Sequence, residues 1–183
     1  RLPYRSEYLV EPEGRRVAAF GDWAGYAGAA VSLMAWAAQA QGGHCPPVSA
    51  FADEDALLAD LTARLDATGT ARPSAIVIGA LGRVGSGAAD LCSAMGLTPT
   101  RWDMAETAHS GPFPEILAHD IFLNCIFARP GIPVFVPRSD LTANRSLSVI
   151  GDVACDPDSD YNPVPVYASA TTWYAPGTRV HDA

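Results

Sequence analysis

Residues 74–96 read SAIVIGALGRVGSGAADLCSAMG, and five of them are glycine. A short run of β-branched and apolar side chains comes first, then the glycines, then apolar positions at Val84, Ala88, Leu91, Cys92 and Met95. That order reads as a buried strand, a tight turn and a helix that ends at Gly96. Gly79 follows the strand directly, and Gly82 and Gly85 come at three-residue spacing into the helix. The N–H groups at a helix start can hold a phosphate, but only where no Cβ blocks the approach. Gly82 is therefore expected to tolerate no side chain, either because a pyrophosphate comes close or because its φ is positive. The plainer reading is a turn that lets strand and helix pack tightly.

The surroundings decide how much weight the glycines carry. Asp103 lies 24 positions after Gly79, at the end of the next expected strand, LTPTRWD. A dinucleotide-binding fold places there a carboxylate that accepts from the adenosine ribose hydroxyls. The same charge repels a 2′-phosphate, which favours NAD over NADP. No Gly-Lys-Ser/Thr follows, so a P-loop is excluded. A methyltransferase also uses a glycine loop and an acid after the second strand, and spacing alone leaves that alternative open.

The rest of the chain fits alternating strands and helices. Residues 1–22 read as a strand and a hairpin-like turn at Gly14. Residues 24–41 are alanine-rich and apolar on all faces, as in a helix that is buried or lies between domains. In FADEDALLADLTARLDATG, Leu57, Leu58, Leu61 and Leu65 form one stripe, and Asp53, Glu54 and Asp55 crowd the first turn, where the helix dipole favours negative charge. DIFLNCIF and LSVIGDVA read as further strands, with a helical piece near 138–144 between them. NPVPVYAS and TTWYAPGTRV read as edge strands, because Pro163 and Pro165 bar a central position. The expected class is α/β, a Rossmann-type doubly wound and mainly parallel sheet with helices on both faces.

Composition narrows the partners. The net charge is -8, and no basic cluster exists beyond Arg15 and Arg16, which argues against nucleic acid and anionic membranes. No apolar run nears the length of a membrane span, and no signal-peptide pattern opens the chain. The four cysteines are far apart, with no metal-ligand spacing, so free thiols in a reducing compartment and a cytoplasmic protein without metal are expected. All twelve basic residues other than histidine are arginine, so no lysine chemistry can come from these residues. His109 and His119 are expected on polar loops, without a role.

Five stretches carry a resemblance to a known family: GRRVAAFGDWAGYAGAA, IGALGRVGSGAADL, RWDMAETAHSGPFPEI, DIFLNCIF and GDVACDPDSDYNPVPVY. Together they resemble the NAD-dependent, lysine-forming saccharopine dehydrogenases, relatives of alanine dehydrogenase and transhydrogenase. The resemblance implies reversible oxidative cleavage of saccharopine, with NAD and water, to lysine, 2-oxoglutarate and NADH. It also implies a dinucleotide domain set between two parts of a substrate domain. Residues 1–22 then correspond to a lead-in from the substrate domain, and 23–183 to the NAD-binding Rossmann domain of a longer two-domain enzyme.

By matching motifs, the resemblance implies cofactor contacts at Arg15, Gly82, Arg83, Asp103, Thr107, Phe127 and Val153, to which the glycine spacing adds Gly79 and Gly85. It implies substrate contacts at Arg16, Phe20, Ala154, Cys155 and Asp156, and an acid at Glu7 that tunes the catalytic groups. The family's catalytic lysine and histidine lie in an N-terminal part whose motifs are not found in this sequence, so the 183 residues alone are expected not to turn over. Fungal members carry Cys after the loop arginine and Tyr after NCI; here these are Val84 and Phe127, which leaves Cys125 without that partner. The implied partners are a small amino-acid substrate and the missing segments of the substrate domain. A NAD-binding module without chemistry is the other reading of the same residues.

Overall fold

The computed structural model describes Pro12, residues 20–155 and residues 157–181. The expected hairpin over residues 1–22 falls almost wholly outside them. The described elements run α1 (Gly21–Ala40), α2 (Glu54–Ala67), β1 (Ala75–Ile78), α3 (Arg83–Ala94), β2 (Thr100–Trp102), α4 (Pro114–Leu117), β3 (Ile121–Asn124), a 3-10 helix (Arg138–Thr142) and β4 (Val149–Asp152).

The four strands are all parallel, in the order β2-β1-β3-β4. From β1 the chain steps one way to β2, then returns across β1 to β3. The reversal makes a crevice at the carboxyl ends of β1 and β3, where open α/β sheets bind ligands. Trp102, Ile78, Asn124 and Asp152 form the last row across that edge. The fold is thus the expected Rossmann-type α/β arrangement.

Both faces carry helix, but unequally. On one face Ala75, Val77, Ile121 and Leu123 meet Leu33 and Met34 of α1 and Leu91 of α3, with Leu61 and Leu65 of α2 in the same cluster. On the other face Ile76, Ile78 and Phe122 are covered by Phe113, Ile116 of α4, Phe135, Leu141 and Val164. That second cover is two short helices plus irregular chain. Both central strands are buried along their full length, which is why their sequences run apolar without alternation.

Local chemistry explains the helix ends. Asp53 caps α2, its carboxylate accepting from Ala56 N–H at 2.8 Å. Gly69, at φ +66°, follows its C-terminus in the left-handed conformation that favours glycine. α1 and α3 cross with their backbones almost touching. A Cβ on Gly25 would stand 1.7 Å from the Val84 carbonyl oxygen, and one on Gly87 would stand 1.9 Å from that of Asp22. The small residues of α1 serve this crossing, while Trp23, Ala24 and Ala27 on its other side are exposed.

One expectation about the elements needs correction. Residues 161–180 form no strand. Pro163 and Pro165 lack the N–H groups of a ladder, and the segment instead lends the Pro163 carbonyl to Phe135 and Val136 N–H while it buries Val164 and Val166. His119 lies on a loop, as expected, but is half-buried, with its ring between the Thr100 hydroxyl (2.8 Å) and the Glu115 carbonyl (2.6 Å). The carbonyl only accepts, so Nδ1 carries a proton toward it, and the Thr100 hydroxyl pairs with Nε2. No helix among the described residues is long and apolar enough to cross a membrane.

Candidate nucleotide-binding site

The glycine run divides into positions with different duties. Gly79 takes φ +86° and lies against Cys125, whose carbonyl carbon and oxygen would each stand 3.0 Å from an added Cβ. It turns the chain out of β1 at the mouth of the crevice. Gly85 is a packing position, since its Cβ would stand 2.1 Å from the Gly79 carbonyl oxygen. Gly82 differs from both. It is exposed, its φ is -78°, and an added Cβ would meet only the Gly79 oxygen, at 3.3 Å. The expectation of a positive φ at Gly82 is therefore wrong, and Gly79 holds that conformation.

Gly82 stands at the start of α3 and makes no side-chain cap there. The first N–H groups of an α-helix have no acceptor one turn back, and the helix dipole adds positive potential. α1 starts beside it, because a Cβ on Gly21 would lie 3.3 Å from Cβ of Arg83. Two helix N-termini thus meet at the carboxyl edge of the sheet. Phe20, one residue before α1, is 76% exposed at the same place.

Asp103 closes the loop from the β2 side. Leu81 N–H donates to its Oδ2 at 2.9 Å, and Met104 N–H to its Oδ1 at 2.9 Å. Asp103 N–H donates to Glu106 Oε2 at 2.8 Å, the reciprocal half of a capping-box-like turn. Thr107 completes that turn, its hydroxyl donating to the Asp103 carbonyl at 2.9 Å. The predicted acid therefore touches the predicted glycine loop. Each carboxylate oxygen has used one lone pair, and both keep capacity to accept from hydroxyls.

Apolar side chains stand exposed after the strands that end at this edge. Leu81 is 86% exposed, Met104 69% and Phe127 87%. They follow β1, β2 and β3 in turn. Arg129 lies with its Nη2 3.9 Å from the Met104 sulfur. Exposed large apolar groups at the same sheet edge as a carboxylate suit a flat, partly polar ligand. Of these three the sequence singled out Phe127 only; Leu81 and Met104 are marked there by nothing but their place next to Gly82 and Asp103.

The exit of β4 supplies the far wall. Val153 packs its Cγ2 where a Cβ on Gly28 of α1 would stand, 2.6 Å away, and its N–H donates to the Asn124 carbonyl. Ala154 is half-buried, and Cys155 is exposed with φ +46°. Phe20, Gly79, Gly82, Arg83, Gly85, Asp103, Thr107, Phe127, Val153, Ala154 and Cys155 thus share the carboxyl edge. Glu7, Arg15, Arg16 and Asp156 lie outside the described residues. A groove of about 540 Å³ lies at the opposite edge, between Trp36, Arg72, Asp120 and Ser148, and includes none of these.

The cysteines are free thiols, as expected, but not uniformly buried: Cys92 and Cys125 are buried, Cys45 is half-buried and Cys155 is exposed. Burial pushes the Cys92 thiol up to about 11 and the Cys125 thiol up to about 12. Arg101 partly offsets the first, and Cys92 and Asp152 add to the second. Raised folded values mean that the stabilising contribution is complete below the unfolded thiol value and is lost as pH rises through the folded ones. Chemical denaturation followed from pH 8 to pH 11 should show a falling midpoint (roughly from pH 9 upward), and Cys92→Ala with Cys125→Ala should flatten the fall. An equal slope in both proteins would assign the effect elsewhere.

No family model matches the chain. It is similar to curated proteins named saccharopine dehydrogenase (NAD(+), L-lysine-forming). It is 41% identical to that of Candida albicans over 97% of this chain and 52% of the relative. It is 46% identical to that of Yarrowia lipolytica over 97% of this chain and 51% of the relative. It is also 46% identical to that of Neurospora crassa, over 95% and 49% respectively. The chain spans about half the length of the curated relatives it matches. Over nearly all of its length, this chain is thus similar to about half of the proteins named saccharopine dehydrogenase (NAD(+), L-lysine-forming).

Proposed function

We propose that these residues form the NAD-binding domain of a saccharopine dehydrogenase-like oxidoreductase of lysine metabolism. One observation carries the reading most: the Asp103 carboxylate is held against the glycine loop, at the switch point of a parallel sheet. A carboxylate there can accept from two vicinal ribose hydroxyls. The start of α3 at Gly82 then receives the pyrophosphate, and Leu81, Met104 and Phe127 border the adenine. Bound NAD supplies hydride acceptance; the protein binds it, orients it and arranges the proton path.

On this reading α1 and the turn after β4 face the substrate side, with Phe20, Ala154 and Cys155 as its contacts. Arg16 and Asp156 are proposed to bind substrate carboxylate and amine groups, because guanidinium grips a carboxylate bidentately. Arg15 is proposed as a further cofactor contact and Glu7 as the tuning acid. The homologues' names favour this oxidoreductase reading over a methyltransferase. We place the protein in the cytoplasm.

The direct test is Asp103→Ala, with NAD and NADP titrated calorimetrically. Loss of the carboxylate should weaken NAD about 30-fold, on the scale of one or two charge-assisted hydrogen bonds. NADP should change less, so the preference between the two narrows. Asp103→Asn should retain part of the NAD affinity while it also relaxes the discrimination. Unchanged NAD affinity in both variants would reduce Asp103 to a clasp for the loop.

A further inference from the structure

Asn124 is fully buried at the end of β3, in the middle of the sheet's carboxyl row. Its Nδ2 donates to Asp152 Oδ1 at 2.8 Å. A carboxylate only accepts, so this contact fixes which way the amide faces. The Asn124 Oδ1 is directed away from Asp152 and has no partner among the described residues. An unmatched buried acceptor destabilises a fold, where leucine would fill the same space without loss. Packing therefore does not account for this side chain; its contact with Asp152 does.

Asp152 is the hub of that contact. Tyr167, from the irregular C-terminal segment, donates its hydroxyl to Asp152 Oδ2 at 2.6 Å. Cys155 N–H reaches Asp152 Oδ1 at 3.4 Å. That residue is the only non-glycine with positive φ among the described residues. A non-glycine residue holds the left-handed conformation at a cost of about 1 kcal/mol or more, and it persists only where the surroundings determine it. The Tyr167 hydroxyl is kept protonated, first by burial, then by its bond to Asp152 and by that carboxylate's charge, with Cys155 adding. The hydroxyl therefore remains a donor across the working pH range.

We propose that Asn124, Asp152 and Tyr167 form a positioning network that fixes the turn leaving β4, so that residues 153–155 meet the substrate and the nicotinamide end of NAD in one register. The inference rests on the functional reading above and adds positioning residues to it. None of the three touches the reacting atoms. Asn124 anchors the carboxylate from the sheet, Tyr167 anchors it from the C-terminal segment, and Asp152 hands both constraints to the backbone of Cys155. The pyrophosphate and adenosine are held on the other side of the switch point, by Gly82 and Asp103. Loosening the turn should therefore be felt by substrate far more than by NAD.

The experiment uses the full-length protein and Tyr167→Phe, which keeps the ring and removes the hydroxyl. Amide hydrogen exchange across residues 153–155 should speed up about tenfold, the loss expected for one charge-assisted bond. The KM for saccharopine should rise about tenfold, while the Kd for NAD stays within about twofold. Asn124→Asp, which sets two carboxyl groups face to face, should show the same split. Unchanged exchange in Tyr167→Phe overturns the network, and so does an equal rise in KM and in the Kd for NAD. A wild-type protein that binds NAD yet does not oxidise saccharopine overturns the functional reading instead, and the exchange comparison then decides the network alone.

Discussion

Gly82→Val should leave the chain folded and strip it of NAD, whereas Gly85→Val should prevent folding. The two glycines are three residues apart, Gly82 at the cap of α3 and Gly85 in its first turn, and their surroundings set opposite outcomes. At Gly82 the backbone is extended and exposed, and a Cβ would meet one oxygen at 3.3 Å, a contact relieved by a small shift. The cost to folding is about 1 kcal/mol, within a few degrees of thermal midpoint. A branched side chain would, however, stand over the α3 N-terminus, where the pyrophosphate must approach the backbone closely. Affinity for NAD should fall by more than about 100-fold, the loss of several charge-assisted contacts. At Gly85 the Cβ would sit 2.1 Å from the Gly79 oxygen, and that oxygen cannot withdraw because Gly79 is wedged against Cys125. Overpacking of backbone against backbone exceeds the usual range of a few kcal/mol for side-chain overpacking. Calorimetric titration and thermal melts of both variants check this. A folded Gly82→Val protein with wild-type NAD affinity would show the loop to be a packing turn only.

The contrast shows what the glycine pattern encodes. A three-residue spacing cannot tell a glycine that clears a ligand from one that clears a helix. In this chain Gly85 and Gly87 clear protein backbone, Gly79 supplies the positive φ, and Gly82 alone faces open space at a helix start. The packing reading therefore holds at Gly85 and Gly87, and the proposed binding role falls to Gly82. Strands β1 and β3 were legible as short apolar runs, and α2 as a leucine stripe behind an Asp cap, because burial and capping are local properties. The loop–acid pairing was legible too, since the fold brings any residue at the end of β2 beside the end of β1.

Other features escaped because their cause lies far away in sequence. The segment over 161–180 reads as edge strand, yet its Pro163 carbonyl accepts from the N–H groups of Phe135 and Val136, and its Trp173 carbonyl from that of Val48. The Asn124–Asp152–Tyr167 network joins positions 28 and 15 residues apart. Nothing in the local composition marks Asn124 among the apolar residues of β3, except that a polar residue there breaks the run. Such a break, at the carboxyl end of a buried strand in a parallel sheet, is the signal that could have found it.

NAD binding without saccharopine oxidation is the expected behaviour of the 183 residues alone, with oxidation appearing when the full-length protein is assayed beside them. On the proposed reading the cofactor platform comes from this chain: the loop at Gly82, and Asp103, whose carboxylate accepts from Leu81 N–H at 2.9 Å. The same reading assigns the proton path to the substrate domain. Oxidation at a C–N bond needs a base within reach of the amine, and the reacting carbon must be held near contact with the nicotinamide. No lysine is available for the first task. For the second, the described residues offer one wall, from Phe20 to the turn after β4. General acid–base groups contribute about 10²–10⁴-fold each, and lost orientation costs more. Turnover by the isolated chain should therefore be at least about 10⁴-fold below that of the full-length protein. Reduced-cofactor absorbance with saccharopine, recorded on both proteins at saturating NAD, measures it. Comparable rates would mean that these residues carry their own acid–base groups and that the proposed division of labour is wrong. Absent turnover in both, with NAD still bound, would instead identify a nucleotide-binding module without chemistry.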